Sequence, residues 1–387
     1  MSLRLEFVTL AQHEKANVAE LCRRFGISRE TGYKWLGRFR EGGAQALWDR
    51  SRRPHTMPRR TAEPVCNQLL ELRAAHPAWG PRKLRRRLQD LGVAGLPAPS
   101  TITTLLQSAG CIDSQASGQH RAYVRFERAA PNELWQMDFK GHFALSRGGR
   151  CHPLTVMDDH ARYLLGLRAC AQENDATVRA HLQDLFGRYG LPESLLCDNA
   201  PPWGGPGGEW TALGIWLVRL GVRVLHGRPY HPQTQGKEER FHRTLRAEVL
   251  SRNDLRDLAH SQEAFDLWQP IYNHERPHDS LKLATPASRY APSARTLPTS
   301  LPPIEYGPDD LVRTVKAKGD LTWNNRTYYL GQGFARQPVA LRPTATNGLH
   351  EVYFCHQRLG WIDLLQPPAK SKHHYLPLRK IRPSPRP

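Results

Sequence analysis

Leu134-Trp135-Gln136-Met137-Asp138-Phe139 places one carboxylate among apolar side chains at 135, 137 and 139, the alternation of a sheet strand. An acid among strand apolars is costly to bury unless it is paired or bound to a metal. Two further acids stand in comparable settings. Asp198 ends the short apolar run Leu195-Leu196-Cys197 and is followed by Asn199. Glu239 lies in Gly236-Lys237-Glu238-Glu239-Arg240-Phe241-His242-Arg243-Thr244-Leu245, which reads as the opening of a helix. Carboxylates on two strands and a helix can converge on one pair of divalent cations, and an all-oxygen donor set suits Mg²⁺ or Mn²⁺. Two such ions about 4 Å apart activate an attacking oxygen and stabilise the leaving one in phosphoryl transfer.

Glu238 competes with Glu239 for the third position. At about 3.6 residues per turn, Glu239, His242, Arg243 and Arg246 share one helix face. Phe241, Leu245 and Val249 share another, with Glu238 near its margin. A polar and basic face is expected to look towards metal and phosphate, which favours Glu239. Lys237, Arg240 and Arg243 beside it are candidate phosphate contacts.

Outward from these acids, the strand grammar covers Leu134–Leu145, Cys151–Val156 and Tyr163–Cys170, with a hairpin turn at 146–149. A helix over Asn174–Tyr189, a short strand at Ser194–Cys197, a helix near Trp210–Leu220 and a strand at Val222–Leu225 follow. Upstream, Val18 to Ser28 reads as a helix, a Gly turn and a Ser cap, followed by a second helix through Phe39. Val18, Leu21, Ile27, Leu36 and Phe39 can pack this pair, leaving Arg29, Lys34 and Arg38 outside. That is helix-turn-helix grammar, in which the second helix enters the major groove. Arg52 and Arg53 sit in a basic, Pro-broken linker suited to a DNA backbone or minor-groove contact. Three further helices are expected at Pro64–Ala75, Pro81–Leu91 and Ser100–Ala109, the last capped by Ser100. The middle one carries Arg82, Lys83 and Arg86 outside a Leu84, Leu88 and Leu91 stripe, a second DNA-contact candidate. After a Pro- and Ser-rich linker at 286–305 come five short strands, with Asn324-Asn325 at a hairpin tip.

The whole set resembles the catalytic core shared by retroviral integrases and insertion-sequence transposases. The carrying stretches are Trp135-Gln136-Met137-Asp138-Phe139, Thr155 to Tyr163, Cys197-Asp198-Asn199, His231 to Lys237 with Glu239 to Leu245, and Tyr272-Asn273-His274-Glu275-Arg276-Pro277-His278. The spacing departs slightly, with 40 residues between Asp198 and Glu239, and Glu238 stands where the family more often has an apolar residue. The resemblance implies a multidomain α/β protein with a ribonuclease H-like core. Its expected domains are a helix-turn-helix domain at 1–56, a second such domain at 57–125, the core at 126–292, a small β-barrel at 306–365 and a basic tail at 366–387. It implies that Asp138, Asp198 and Glu239 are catalytic metal ligands, with Asp138 bridging two Mg²⁺ or Mn²⁺ ions. The implied activity is that of a DNA transposase that binds terminal inverted repeats and performs 3′-end cleavage and strand transfer into target DNA. It would act as at least a dimer on paired ends and would be cytoplasmic and nucleoid-associated in a bacterium. A catalytically retired transposase acting as a DNA-binding regulator is the alternative, which retention of all three acids disfavours.

Composition agrees. The chain has 387 residues, 55 Lys+Arg against 36 Asp+Glu, and a formal net charge of +19, which favours a polyanionic partner. The first 130 residues hold 22 basic and 11 acidic side chains, and 366–387 hold six basic and none acidic. Seven scattered cysteines without a Cys-x-x-Cys pair argue against a disulfide framework and a zinc finger. No apolar run reaches membrane-spanning length, so no membrane partner is expected.

Overall fold

The structure, a computed structural model, describes residues 3–14, 16–49, 61–112, 127–198, 201–204, 210–226, 236–365 and 375–377. The chain divides into two compact units, Met1–Arg60 and Thr61–Pro387.

The first unit packs three helices, α1 (Leu3–Ala11), α2 (Val18–Arg24) and α3 (Arg29–Gly42). Asn17 caps α2, and Ser28 Oγ accepts from Thr31 N at the start of α3. Leu36 is buried, and Val18, Leu21, Ile27 and Phe39 pack against the same cluster, as the sequence pattern expects. The sequence reading missed α1, which supplies the fully buried Phe7 and Val8. Gly32 on α3 lies against it: a Cβ there would meet Cys22 Sγ at 2.6 Å and Phe7 at 2.9 Å.

The second unit begins with α4 (Glu63–Ala75), α5 (Pro81–Asp90) and α6 (Pro99–Ser108) around Leu69, Trp79, Leu84, Leu88, Ile102 and Leu106. Two local expectations are corrected. Pro99 is itself the first residue of α6, with Ala98 rather than Ser100 at the cap, because a helix start leaves its first N–H unpaired and proline has none to lose. Leu91 lies past the end of α5 and is exposed.

The core sheet is built from β1 (Trp135–Phe139), β2 (Phe143–Ala144), β3 (Arg150–Asp158), β4 (Leu164–Cys170), β5 (Ser194–Cys197) and β6 (Arg223–His226). β3 pairs antiparallel with β1, β2 and β4, while β1–β5 and β5–β6 are parallel. Period-two alternation sends Trp135, Met137, Leu195 and Cys197 to one face, where α7 (Asp175–Tyr189) and α8 (Ala212–Arg219) cover them. The other face carries Met157, Leu164 and Leu167 under α9 (Gly236–Leu245), a π-helical turn at Arg246–Leu250, and α10 (Leu258–Pro270). Each fully buried Leu or Phe here contributes roughly 1.5–3 kcal/mol by leaving water. Helices on both faces of a mixed five-strand path make this core α/β and ribonuclease H-like.

The motif at 272–278 ties this core together. Asn273 closes both backbone groups of Leu164, and His278 Nε2 lies 2.9 Å from the Tyr272 hydroxyl. The stretch at 286–305, expected as a linker, is instead a strap. Arg295 donates to the carbonyl oxygens of Pro192, Leu220 and Gly221, and Tyr290 to Asn132 Oδ1.

Beyond it, β7 (Leu311–Thr314), β10 (Pro338–Pro343), β11 (Leu349–Phe354) and β12 (Gln357–Asp363) form a four-stranded antiparallel sheet. β8 (Asp320–Trp323), β9 (Arg326–Tyr329) and β13 (Tyr375–Pro377) form a separate three-stranded one. Among the described residues no pairing closes them, so the expected barrel is corrected to two open sheets. Asn324 and Asn325 make the hairpin tip with φ of 47° and 57°, as a tight two-residue turn requires. Phe334, Leu341 and Phe354 share the core's apolar cluster, so this β-rich end packs on the α/β core.

Candidate active site

The β1–β5 register places Trp135 beside Leu195 and Gln136 beside Leu196. Two residues further along each strand are Asp138 and Asp198, neighbours on the face away from Trp135 and Cys197. Burial, then the charge of Asp198, pushes the Asp138 carboxyl up to about 7, with Glu173 and Glu239 adding to the effect. Two strand ends thus hold like charges together at the edge of an apolar sheet, an arrangement that a neutralising cation would relieve.

α9 crosses above them, and its phase differs from the expected one. Glu238, Phe241 and Leu245 are buried, whereas Glu239, Arg240 and Arg243 are exposed. The apolar residues decide this orientation, because Phe241 and Leu245 must reach the sheet and Glu238 is carried in one turn before them. Burial, then Asp138 and Asp198, holds the Glu238 carboxyl well above the usual range. Glu239 stays within electrostatic reach of Asp138 from the exposed flank. The same acids, after burial, raise the Cys197 thiol beneath them.

A short relay fixes α9 to the strand. Thr155, opposite Asp138 in the β1–β3 register, donates its hydroxyl to the Asp138 carbonyl at 3.0 Å. His242 Nε2 lies 3.1 Å from that hydroxyl. Since the hydroxyl proton is already used, His242 is the donor, and burial with the Lys140 charge pushes its imidazole down to about 4. At the mouth, His152 Nδ1 meets Glu173 Oε1 at 2.7 Å, close to the His142 ring. Neither Thr155–His242 nor His152–Glu173 was picked out in sequence, since only strand register and a helix packed over it bring them to the acids.

The basic residues divide. Arg29 and Lys34 are exposed on α3, and Arg38 is half-buried on the same helix. Lys237 does not point to open solvent: its ammonium pairs with the fully buried Asp159, which also accepts from Gln136 and from Arg128 N. Lys83 is turned to Asp279 at 3.5 Å, and burial, then Arg276, pushes it down to about 8. Arg82 pairs with the same carboxylate at 3.0 Å but stays exposed, and Arg86 pairs with Asp90. Much of the α5 charge therefore faces the core, where Arg87 also meets Glu275 at 2.6 Å. Arg52, Arg53, Asn199 and His231 lie outside the described residues. Asp158 caps the turn after β3, accepting from Ala161 N and Asn132 N.

For a divalent cation the donors are of the right kind: carboxylate oxygens, with one buried oxygen, Glu238 Oε1, that has no hydrogen-bond partner among the described residues. Among the described residues no three His, Cys, Asp or Glu side chains surround one point closely enough to hold an ion. Strand register and the packing of α9 bring the acids into one region against their mutual repulsion, and a cation would have to draw their oxygens together.

Family models describe most of this architecture. An "Integrase core domain" matches residues 128–232 and a second one residues 220–286. A "Helix-turn-helix domain" matches 3–55, a "Homeodomain-like domain" 31–106, and the "IS481 family transposase, C-terminal domain" 310–370. The Gag-Pro-Pol polyprotein of squirrel monkey retrovirus is 32% identical over 142 residues, 36% of this chain and 7% of that protein. That of mouse mammary tumor virus is 29% identical over 119 residues, 31% of this chain and 6% of that protein. Both matches thus span only a small part of the viral proteins. Among solved structures, the simian T-cell lymphotropic virus intasome in complex with a PP2A regulatory subunit aligns over 77% of this chain and 96% of that one, at 16% identity and a TM-score of 0.37. The catalytic core of BIV integrase aligns over 41% and 92%, at 22% identity and 0.32. Residues 128–286 thus match integrase core domains. The same chain carries, before them, matches to helix-turn-helix domains and, after them, a match to the C-terminal domain of IS481 family transposases.

Proposed function

We propose that the protein is a DNA transposase that binds the terminal inverted repeats of its element and carries out 3′-end cleavage and strand transfer. The observation that carries this reading is the β1–β5 register, which sets Asp138 beside Asp198 under the acidic start of α9 within an integrase core.

In this reading Asp138, Asp198 and Glu239 are the catalytic carboxylates and would hold two Mg²⁺ or Mn²⁺ ions. When bound, such ions activate the attacking oxygen and stabilise the leaving one. Thr155 and His242 hold the strand of Asp138 in register with α9. Arg240 and Arg243, exposed beside Glu239, receive DNA phosphates. Arg29, Lys34 and Arg38 on α3 read the terminal repeat from the major groove, and Arg52, Arg53 and the exposed Arg82 add backbone contacts. Two ends joined to one target call for at least two active sites, so the working form is a dimer or larger assembly on DNA.

The test uses purified full-length Asp138→Asn, Asp198→Asn and Glu239→Gln in Mg²⁺. Each should lose cleavage and joining while binding the terminal duplex nearly as the parent chain does. Near-parental joining by any one removes that residue from the catalytic set. A parent chain that binds the terminal duplex but never cuts it would favour a retired, regulatory transposase.

A further inference from the structure

Among the described residues the α/β core buries four acids, Asp158, Asp159, Glu238 and Glu248, and three of them have donors. Asp158 accepts from Asn132 N and Ala161 N, each at 2.7 Å. Asp159 accepts from Gln136, Arg128 N and Lys237. Glu248 takes Arg276 Nε at 2.8 Å on one oxygen and Trp268 Nε1 at 3.0 Å on the other. Glu238 is 3% exposed, and its Oε1 has no partner among the described residues. Asp138 and Asp198, both of its own sign, lie at the sheet face that α9 covers, where His242 of the same helix reaches Thr155 opposite Asp138. A structural acid in this core is given N–H groups; Glu238 is given carboxylates. Burying such a group costs free energy that no donor among the described residues returns. The compensating partner its surroundings suit is a hard cation shared with the neighbouring acids.

We propose that Glu238 is a fourth carboxylate of the metal site and ligates an ion together with Asp138 and Asp198. This rests on the reading of those two aspartates as metal ligands. The phase of α9 supports it: Phe241 and Leu245, buried on the same face, fix the helix so that Glu238 points to the sheet while Glu239 flanks the site from outside. Glu239 is then free to complete the second ion's shell from the solvent side, next to Arg240 and Arg243.

The test is Mn²⁺ binding to the full chain without DNA, followed by the electron paramagnetic resonance of free Mn²⁺. Thermal unfolding in EDTA is recorded for the same samples. Glu238→Gln should weaken Mn²⁺ at least about tenfold while keeping the parent's circular dichroism and a melting temperature in EDTA equal to or above the parent's. Parental Mn²⁺ affinity in Glu238→Gln overturns the proposal. A Glu238→Gln chain unfolded in EDTA assigns the carboxylate a structural role and also overturns it. Asp138→Asn, measured alongside, separates the two readings. If Asp138→Asn loses Mn²⁺ and Glu238→Gln does not, only the assignment of Glu238 fails. If both bind as the parent does, the aspartate metal site fails first.

Discussion

A carboxylate taken out of water needs donors or a cation, and the core supplies donors at Glu248. Its partner Arg276 is almost as buried, with side-chain exposures of 7% for Arg276 and 6% for Glu248. Removing one member of such a pair strands the other, which costs about 3–5 kcal/mol. Arg276→Met should therefore lower the urea unfolding free energy by that order, and adding Glu248→Gln should restore part of it; a single variant within about 1 kcal/mol of the parent would mean the pair is solvated. His242 gives a second residue-scale prediction. Its imidazole is depressed from 6.5 to about 4 in the fold. A depressed histidine stabilises the fold above the unfolded value and loses that contribution as pH falls through the folded one. Stability should thus drop between pH 6.5 and 4, by at most on the order of 3 kcal/mol from this group. His242→Gln, which keeps an N–H for Thr155, should flatten that limb relative to the parent. Parallel pH curves for the two chains would contradict the assignment.

At the scale of elements, α3 presents Arg29 and Lys34 outward while Leu36 and Gly32 hold it against α1 and α2. Alanine at Arg29, Lys34 or Arg38 should weaken terminal-repeat recognition, by about 1–3 kcal/mol of discrimination where a side chain reads a base edge. Competition binding against an unrelated duplex measures this, and unchanged discrimination in all three would return α3 to a packing role. Elements were legible where one pattern determined them. Ser28 marked the start of α3, the apolar run at Leu195 to Cys197 gave β5, and Asn324-Asn325 gave the β8–β9 turn. The acids at 138 and 198 were legible because strand alternation and an apolar setting single them out. The phase of α9 was not. Helical spacing assigns residues to faces, yet which face meets the sheet is decided by Phe241 and Leu245 packing on strands far away in sequence. Lys237 and Lys83 look like surface cations in sequence for the same reason, since their partners Asp159 and Asp279 lie 78 and 196 residues away. The strap at 286–305 hid because proline and serine suggest a loop without revealing that Arg295 closes three core carbonyls.

For the whole molecule, a net charge of +19 draws DNA to every basic surface, so binding alone says little about function. What distinguishes a transposase is a covalent product that depends on the terminal sequence. The helix-turn-helix unit at Met1–Arg60 is a compact unit of its own, and the candidate acids lie in the unit at Thr61–Pro387; on the proposed function, recognition and chemistry would be divided between them. The decisive measurement incubates the full chain with Mg²⁺, a target plasmid and an end-labelled duplex bearing the inverted repeat that borders its gene. The account predicts label joined covalently to the plasmid, lost when the repeat is scrambled or Asp138 is replaced by Asn. A chain that binds the repeat tightly yet joins none of it to target would contradict the account.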